Sequence, residues 1–339
     1  MLVKPDLKDE EIVRRVQDAY GMKVGRISFL PLGADFNTAV YRVTTNTNGE
    51  YFLKLRSGEF LDASVSVPKY LADLGIQQVI PPFTTRTGQL WTSLASFRAV
   101  LYPYIEGHNG VEAKLSDKQW AQIGATVKKL HSADIPSTIT KDVPQETFSS
   151  KWRETVKAFL MRIEDEAFEE SVAEKMAFFL KSKSSEMLEL VERAENLALT
   201  LKRQPLEYVL CHADIHGWNL LSDKEGAIYI IDWDTIIFAP KERDLMFIGA
   251  GIWESGRAPT EEESLFYQGY GSTEINQDAI CYYRFERIIQ DIGEYCEYIF
   301  LSDEGDSDRM QSFEYLQSNF LPGGTIERAF QSDKTRKIL

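Results

Sequence analysis

The chain has 339 residues, 43% of them apolar, enough to fill the core of two domains or of one large two-lobed unit. Its 52 acidic residues against 38 basic ones give a formal charge of −14, which argues against the strongly basic face of a nucleic-acid-binding protein. No apolar run is long enough to span a bilayer, and the amino terminus lacks the apolar stretch of a signal peptide. Cys211, Cys281 and Cys296 lack metal spacing, so a cytoplasmic protein with reduced core cysteines is expected.

In chain order, Ile12, Val13, Val16 and Tyr20 predict an amphipathic helix over 7–20 that stops at Gly21. Strand periodicity follows over 26–32, 39–45 and 51–56, and Asn48-Gly49 marks a hairpin turn between the last two. A helix is expected over 61–74, ending at Gly75, with Pro68 either in its first turn or breaking it. Strands at 89–94 and 97–104 complete an antiparallel five-stranded sheet. Beyond Tyr104 the pattern is helical. Ser116 to Gln119 reads as a capping box before Trp120, Ile123, Val127 and Leu130 on one helical face. Charged helices are predicted over 151–164, 170–181 and 185–203. Thr260 to Glu263 is expected to cap a further helix. Asn276 should open another, with Cys281, Phe285, Ile288, Ile292 and Tyr295 on its buried side.

The most chemical stretch lies between two short apolar runs, 208–211 and 227–231, which read as buried strands. The first delivers His212, Asp214 and Asn219; the second delivers Asp232 and Asp234. A carboxylate, then a carboxamide five residues on, then a carboxylate thirteen further, suits one task. That task is to orient a hydroxyl while holding magnesium on a nucleotide triphosphate. His212, Asp214 and His216, at alternate positions, also admit a two-histidine, one-carboxylate metal site. That reading is disfavoured, because His216-Gly217 falls where the strand has already turned and Asn219 and Asp232 go unexplained.

The stretch YVLCHADIHGWNLL to AIYIIDWDTIIFAPKERD resembles the catalytic and metal-binding loops of the aminoglycoside phosphotransferase family. The likeness extends to LPLGADFNTAVYRV, YFLKLR, LYPYIEGHNG, KWRETV and APKERDLMFIG, covers nearly the whole chain, and leans toward the branch acting on spectinomycin. It implies an α+β, two-lobed protein-kinase-like fold. A nucleotide-binding lobe would span 1–104 and a mainly helical catalytic and substrate-binding lobe 105–339, with a catalytic hairpin and a hinge near 103–107. The activity implied is transfer of the γ-phosphate of ATP, with Mg2+, to a hydroxyl of a small cationic aminocyclitol such as spectinomycin, an antibiotic-resistance reaction. Choline, homoserine and methylthioribose kinases carry similar loops and give alternative acceptors. A non-catalytic kinase-like binding module is a further alternative, opposed by the intact loops. A monomer is expected rather than an obligate oligomer, without nucleic-acid or membrane partners.

By the same resemblance, Asp214 accepts the hydrogen bond of the substrate hydroxyl, and Asn219 and Asp232 complete the catalytic set as metal ligands. Lys54 would neutralise the α- and β-phosphates, with Glu59 or Asp62 in place of the usual helix glutamate. Gly33, Ala34, Asp35 and Asn37 fall in the phosphate-covering loop; Pro103, Tyr104 and Ile105 fall in the hinge that receives adenine. His212 braces the catalytic loop, and Asp244 anchors it from below, an N-cap being the plainer reading of Asp244. Asp234, which could also stand behind the metal ligands or cap the following turn, and His216, which could also brace the catalytic loop, are candidates to face substrate. So are Glu286, Asp291 and Glu294, which with Tyr282 are expected off the apolar face of the helix after Asn276. Such acidic faces are ordinarily only solvated.

Overall fold

The computed structural model describes residues 4–33, 37–250, 252–253, 255–302 and 306–336. The chain begins with α1 (Asp9–Tyr20), β1 (Val24–Leu30), β2 (Thr38–Thr45), β3 (Glu50–Arg56), α2 (Ala63–Asp73), β4 (Thr92–Leu94), β5 (Phe97–Pro103) and β6 (Gly107–Asn109). There follow α3 (Asp117–His131), α4 (Ser137–Thr140), α5 (Lys151–Asp165), α6 (Ser171–Leu201), β7 (Val209–Cys211), β8 (Leu220–Asp223), β9 (Ile228–Ile230) and β10 (Ile237–Ala239). It ends with α7 (Glu242–Leu245), α8 (Pro259–Tyr270), α9 (Gln277–Leu301), α10 (Asp306–Ser318) and α11 (Thr325–Arg336). By contact the chain forms two compact units. The first is Met1–Pro144 with His212–Ile237 and Gln268–Tyr270; the second is Gln145–Cys211 with Phe238–Tyr267 and Gly271–Leu339.

The first unit is built on an antiparallel five-stranded sheet in the order β1-β2-β3-β5-β4. Side chains alternate across a strand, so the sequence decides the two faces. Ala39, Tyr41, Val43, Leu53, Leu55, Ala99 and Leu101 bury against Ile12 and Val16 of α1. The register Val40↔Lys54↔Val100 puts Lys54 on the other face, as the alternation predicts. Asn48 takes the left-handed position in the β2–β3 turn, with φ 62°.

Two expectations in this unit are corrected. Helix α2 continues through Pro68, which lies in its interior. An interior proline costs about 3 kcal/mol, and burial of Val65, Val67, Leu71 and of the ring itself opposes that cost. Strand β4 starts only at Thr92, because Thr85 and Gln89 close a turn on each other. The Thr85 amide donates to the Gln89 carbonyl at 2.7 Å, and the Gln89 amide donates to the Thr85 hydroxyl at 3.0 Å.

A second antiparallel sheet, β6-β8-β9, backs the stretch after His212. Here the glycines of IEGHNG allow close approach. A Cβ on Gly107 would lie 2.2 Å from the Ser222 carbonyl oxygen. The Gly110 amide donates to the carbonyls of Gly217 (2.7 Å) and Leu220 (3.1 Å). The predicted capping box of Ser116 and Gln119 opens α3. The Gln119 amide nitrogen also donates to the Ser222 hydroxyl (2.9 Å) and the Gly226 carbonyl (3.1 Å), which ties α3 to the β8–β9 hairpin.

In the second unit α9 is the central helix, contacted by α5, α6, α7, α10 and α11 and capped by the Asn276 side chain, which accepts from the Ala279 amide. The helices predicted over 170–181 and 185–203 are one 31-residue helix, α6. The polar run between them contains neither glycine nor proline, and the Ser182 hydroxyl donates back to the Phe179 carbonyl at 2.7 Å within the helix. Helix α8 starts at Pro259 after Ala258, so Thr260 does not cap it. The two apolar runs do not pair with each other: β7 pairs with β10, whereas β9 joins the other sheet. Helices α10 and α11 were not predicted. All three cysteines are buried thiols outside any disulfide. Among the described residues no helix is long and apolar enough to cross a membrane.

Candidate active site

Strand β3 projects two cations, Lys54 and Arg56, from the face opposite the core. The Lys54 ammonium donates to Asp232 Oδ1 at 2.8 Å and to Asp234 Oδ2 at 2.7 Å. Arg56 Nη1 donates to the same Asp234 oxygen at 2.7 Å. Two cations therefore face two carboxylates carried by one short 3₁₀ turn. Burial opposes charge on Lys54, but Asp232 and then Asp234 outweigh it and hold its pKa above the ordinary lysine value. The Lys54 charge in turn lowers the Asp232 carboxyl against the effect of burial. Neither expected partner of Lys54 is used. Asp62 accepts from the Trp91 indole at 2.8 Å, and the Glu59 carbonyl accepts from Arg56 Nε at 3.2 Å. Asp234 lies against Lys54 and Arg56.

The loops after β7 and β9 each turn on a left-handed residue, Ala213 (φ 67°) and Asp232 (φ 65°) respectively, a conformation that disfavours side chains other than glycine. The buried ring of His212 connects them. Its Nε2 donates to the Ile231 carbonyl at 3.0 Å, and its Nδ1 accepts the Asp214 amide at 3.3 Å. Trp233 packs edge-on to it at 4.8 Å, and the Thr235 hydroxyl donates to its carbonyl. With both ring nitrogens engaged on backbone, His212 is not part of a two-histidine metal site. Asn219 is aimed by its amide nitrogen, which donates to the Asp214 carbonyl (3.0 Å) and to Asp214 Oδ2 (2.9 Å). Its side-chain oxygen is thereby turned the other way. The Asn219 carbonyl accepts from the Ile231 amide at 2.9 Å, which sets it beside the chain entering Asp232. His216 Nε2 lies 3.3 Å from both Asp214 Oδ2 and Asn219 Nδ2.

The structure thus brings Lys54, Asp232 and Asp234 together, and separately links Asp214, Asn219, His212 and His216. Pro103 ends β5 opposite Tyr51. The next amide, of Tyr104, donates to the Glu50 carbonyl at 3.3 Å, and the Arg42 guanidinium lies 4.4 Å from the Tyr104 ring centroid. Ile105 follows, half-buried. Gly33 is left-handed (φ 87°), and the Asn37 carbonyl accepts from the Ser57 amide and hydroxyl. Ala34 and Asp35 lie outside the described residues.

The remaining candidates sit in the second unit. Asp244 is buried inside α7, whose N-cap is Lys241, so the N-cap reading of Asp244 is wrong. Tyr282 is buried, not on a polar face, because α9 is surrounded. Glu286 pairs with Arg153, a residue only 2% exposed. Asp291 accepts from Arg287 at 2.9 Å, and Glu294 from Gln290 at 2.8 Å. Sequence reasoning missed Arg56, whose signal was its spacing of two from Lys54 on a strand. It also missed Trp218, 53% exposed between the buried Gly217 and Asn219.

Residues 28–274 match the model of the phosphotransferase enzyme family. The chain belongs to that family. This phosphotransferase shares its fold with a spectinomycin phosphotransferase solved with ADP and spectinomycin, at 34% identity and a TM-score of 0.88, over 97% of this chain and 99% of that one. Protein StrN of Streptomyces griseus is 27% identical over 225 residues, 64% of this chain and 67% of its own. Hydroxylysine kinase of Xenopus laevis is 34% identical over 94 residues, 25% of each chain. The fold is kinase-like, and the protein is an enzyme that transfers phosphoryl groups to alcohols.

Proposed function

We propose that this phosphotransferase moves the γ-phosphate of ATP to a hydroxyl of spectinomycin or a closely related aminocyclitol. The observation that carries this reading is the 34% identity over 97% of the chain to an enzyme solved with ADP and spectinomycin. The donor set suits a hard divalent cation. Asp232 is 47% exposed at its side chain, and the Asn219 side-chain oxygen is turned away from Asp214 on the adjoining backbone. Together they offer one charged and one neutral oxygen, to which magnesium adds phosphate oxygens and waters. A magnesium ion held by Asp232 and Asn219 would supply neutralisation of charge on the triphosphate.

The chain's own residues do the rest. Lys54 turns from Asp232 to neutralise phosphate oxygens from the sheet side while Asp234 stays on it. The Tyr104 segment receives adenine. Asp214, held by Asn219, accepts the proton-bearing side of the acceptor hydroxyl and aims its oxygen at phosphorus. Transfer through a loose transition state depends on this aim more than on basicity. His212 and His216 keep Asp214 in place. The exposed indole of Trp218, next to Asn219 in the chain, offers an aromatic face to an ammonium group.

A screen for ADP release with spectinomycin, aminoglycosides, choline, homoserine and hydroxylysine tests the reading. Turnover is expected with spectinomycin first. Silence with it, alongside turnover of an amino alcohol or amino acid, would replace this acceptor with the kind named in the shorter Xenopus match.

A further inference from the structure

We propose that Asp234 is the standing counter-ion of Lys54, held by Arg56, and that it frees Asp232 for the metal. The inference rests on the proposed roles of Lys54 and Asp232 and assigns a division of labour between two aspartates that the sequence leaves equivalent. In the structure both carboxylates bind the same ammonium, at 2.8 and 2.7 Å. They differ in every other respect. Asp232 is 47% exposed at its side chain and takes Lys54. Asp234 is 17% exposed and takes both Lys54 and Arg56 through one oxygen.

An ammonium in such a site needs a carboxylate at all times, because leaving it unpaired costs several kcal/mol. Helix α2 does not provide one. Its acidic residue Asp73 pairs with Lys69 at 2.6 Å, and Asp62, just before it, accepts from Trp91. If Asp232 turns to a cation, the carboxylate that remains on Lys54 is Asp234. Arg56, two residues along the same strand face, has its Nε on the Glu59 carbonyl (3.2 Å) and so is itself fixed in position. It fastens Asp234 in the place where Lys54 needs it. Asp234 is thus a positioning residue that acts through Lys54, and it does not touch the acceptor.

The test is calorimetric titration of ATP at graded magnesium concentrations, with no acceptor present, on wild type, Asp234→Asn and Arg56→Met. With Asp234 neutralised, Asp232 becomes the sole counter-ion of Lys54 and competes with the metal. The magnesium concentration needed for half-maximal nucleotide binding should rise about tenfold, the effect of one lost charge-assisted contact, while binding of metal-free ATP changes little. Arg56→Met should move in the same direction by a smaller factor. The double variant should be no worse than Asp234→Asn, since the two act as one unit. In turnover assays the acceptor KM should stay within about twofold of wild type while kcat falls. An unchanged magnesium requirement in Asp234→Asn overturns the proposal, as does a rise in acceptor KM alone, which would place Asp234 against the acceptor. Asp232→Ala separates this from the underlying reading: if it too binds nucleotide with wild-type magnesium dependence, the metal role of Asp232 falls and the proposal falls with it. Should Asp234→Asn fail to fold, the Arg56→Met titration decides alone.

Discussion

Glu286 was expected to face solvent or substrate and instead meets Arg153 inside the helical unit, where its side chain is 14% exposed. Arg153 also donates to the Phe148 carbonyl at 3.3 Å and reaches the Tyr282 hydroxyl at 3.4 Å, so its charge does not depend on Glu286 alone. Burial raises the Glu286 carboxyl from 4.5 to about 7, and the nearby Arg153 only partly offsets this. A folded-state value above the unfolded one means that the folded protein binds this proton more tightly. The associated stability is fully present below the unfolded pKa and is lost as the pH rises through about 7. At about 1.4 kcal/mol per unit, the loss by pH 8 is on the order of 3 kcal/mol. Glutamine has the shape of the protonated acid and does not titrate. Glu286→Gln should therefore match wild type near pH 5 and exceed it near pH 8 by an amount of that order, in line with the frequent neutrality of replacing buried ion pairs. Urea unfolding midpoints of the two proteins at pH 5, 6.5 and 8 measure this directly. A variant less stable than wild type by the same margin at every pH would show that the ionised pair is net favourable and refute the reasoning.

Asp214→Ala should reduce phosphoryl transfer by at least 100-fold, on the order expected for a lost positioning and acid–base group, with ATP affinity kept; parallel turnover and nucleotide titrations check it. Lys54→Ala should lower kcat far more than it weakens ATP binding, and would leave Asp232 and Asp234 facing each other with Arg56 as their remaining strand cation. Steady-state kinetics with varied ATP separate the two effects. Gly107→Ala should destabilise by about 1–3 kcal/mol or more, because its Cβ would sit 2.2 Å from the Ser222 carbonyl oxygen; thermal unfolding reports it, and a wild-type midpoint would contradict the close packing of β6 on β8.

Much of the five-stranded sheet could be read from the sequence because local and tertiary signals agree there. Leu53 and Leu55 are core residues, and the alternation alone puts Lys54 on the other face. The Ser116–Gln119 box and the Asn276 cap likewise act within a single turn. Failures came where distant contacts decide. Nothing near Pro68 announces that burial would carry a helix through it, and the Ser-Lys run inside α6 reads as a break between two helices until its flanks are packed. The order His212, Asp214, Asn219, Asp232 was legible as chemistry. The left-handed turns at Ala213 and Asp232, and the grip of Arg56 on Asp234, were not, since each depends on segments far apart in sequence.

The unit that carries the candidate chemistry is assembled from three separate pieces of chain, the first ending at Pro144 and the second beginning at His212. During synthesis the sheet with Lys54 can form as soon as β5 has emerged, yet Asp232 and Asp234 follow only after the whole of α5 and α6 has been made. At about 5–20 residues per second the nascent chain spends on the order of ten seconds with a basic strand face whose acidic partners do not yet exist. The Lys54–Asp232 pair, whose members lie 178 residues apart in the chain, can therefore close only late in synthesis.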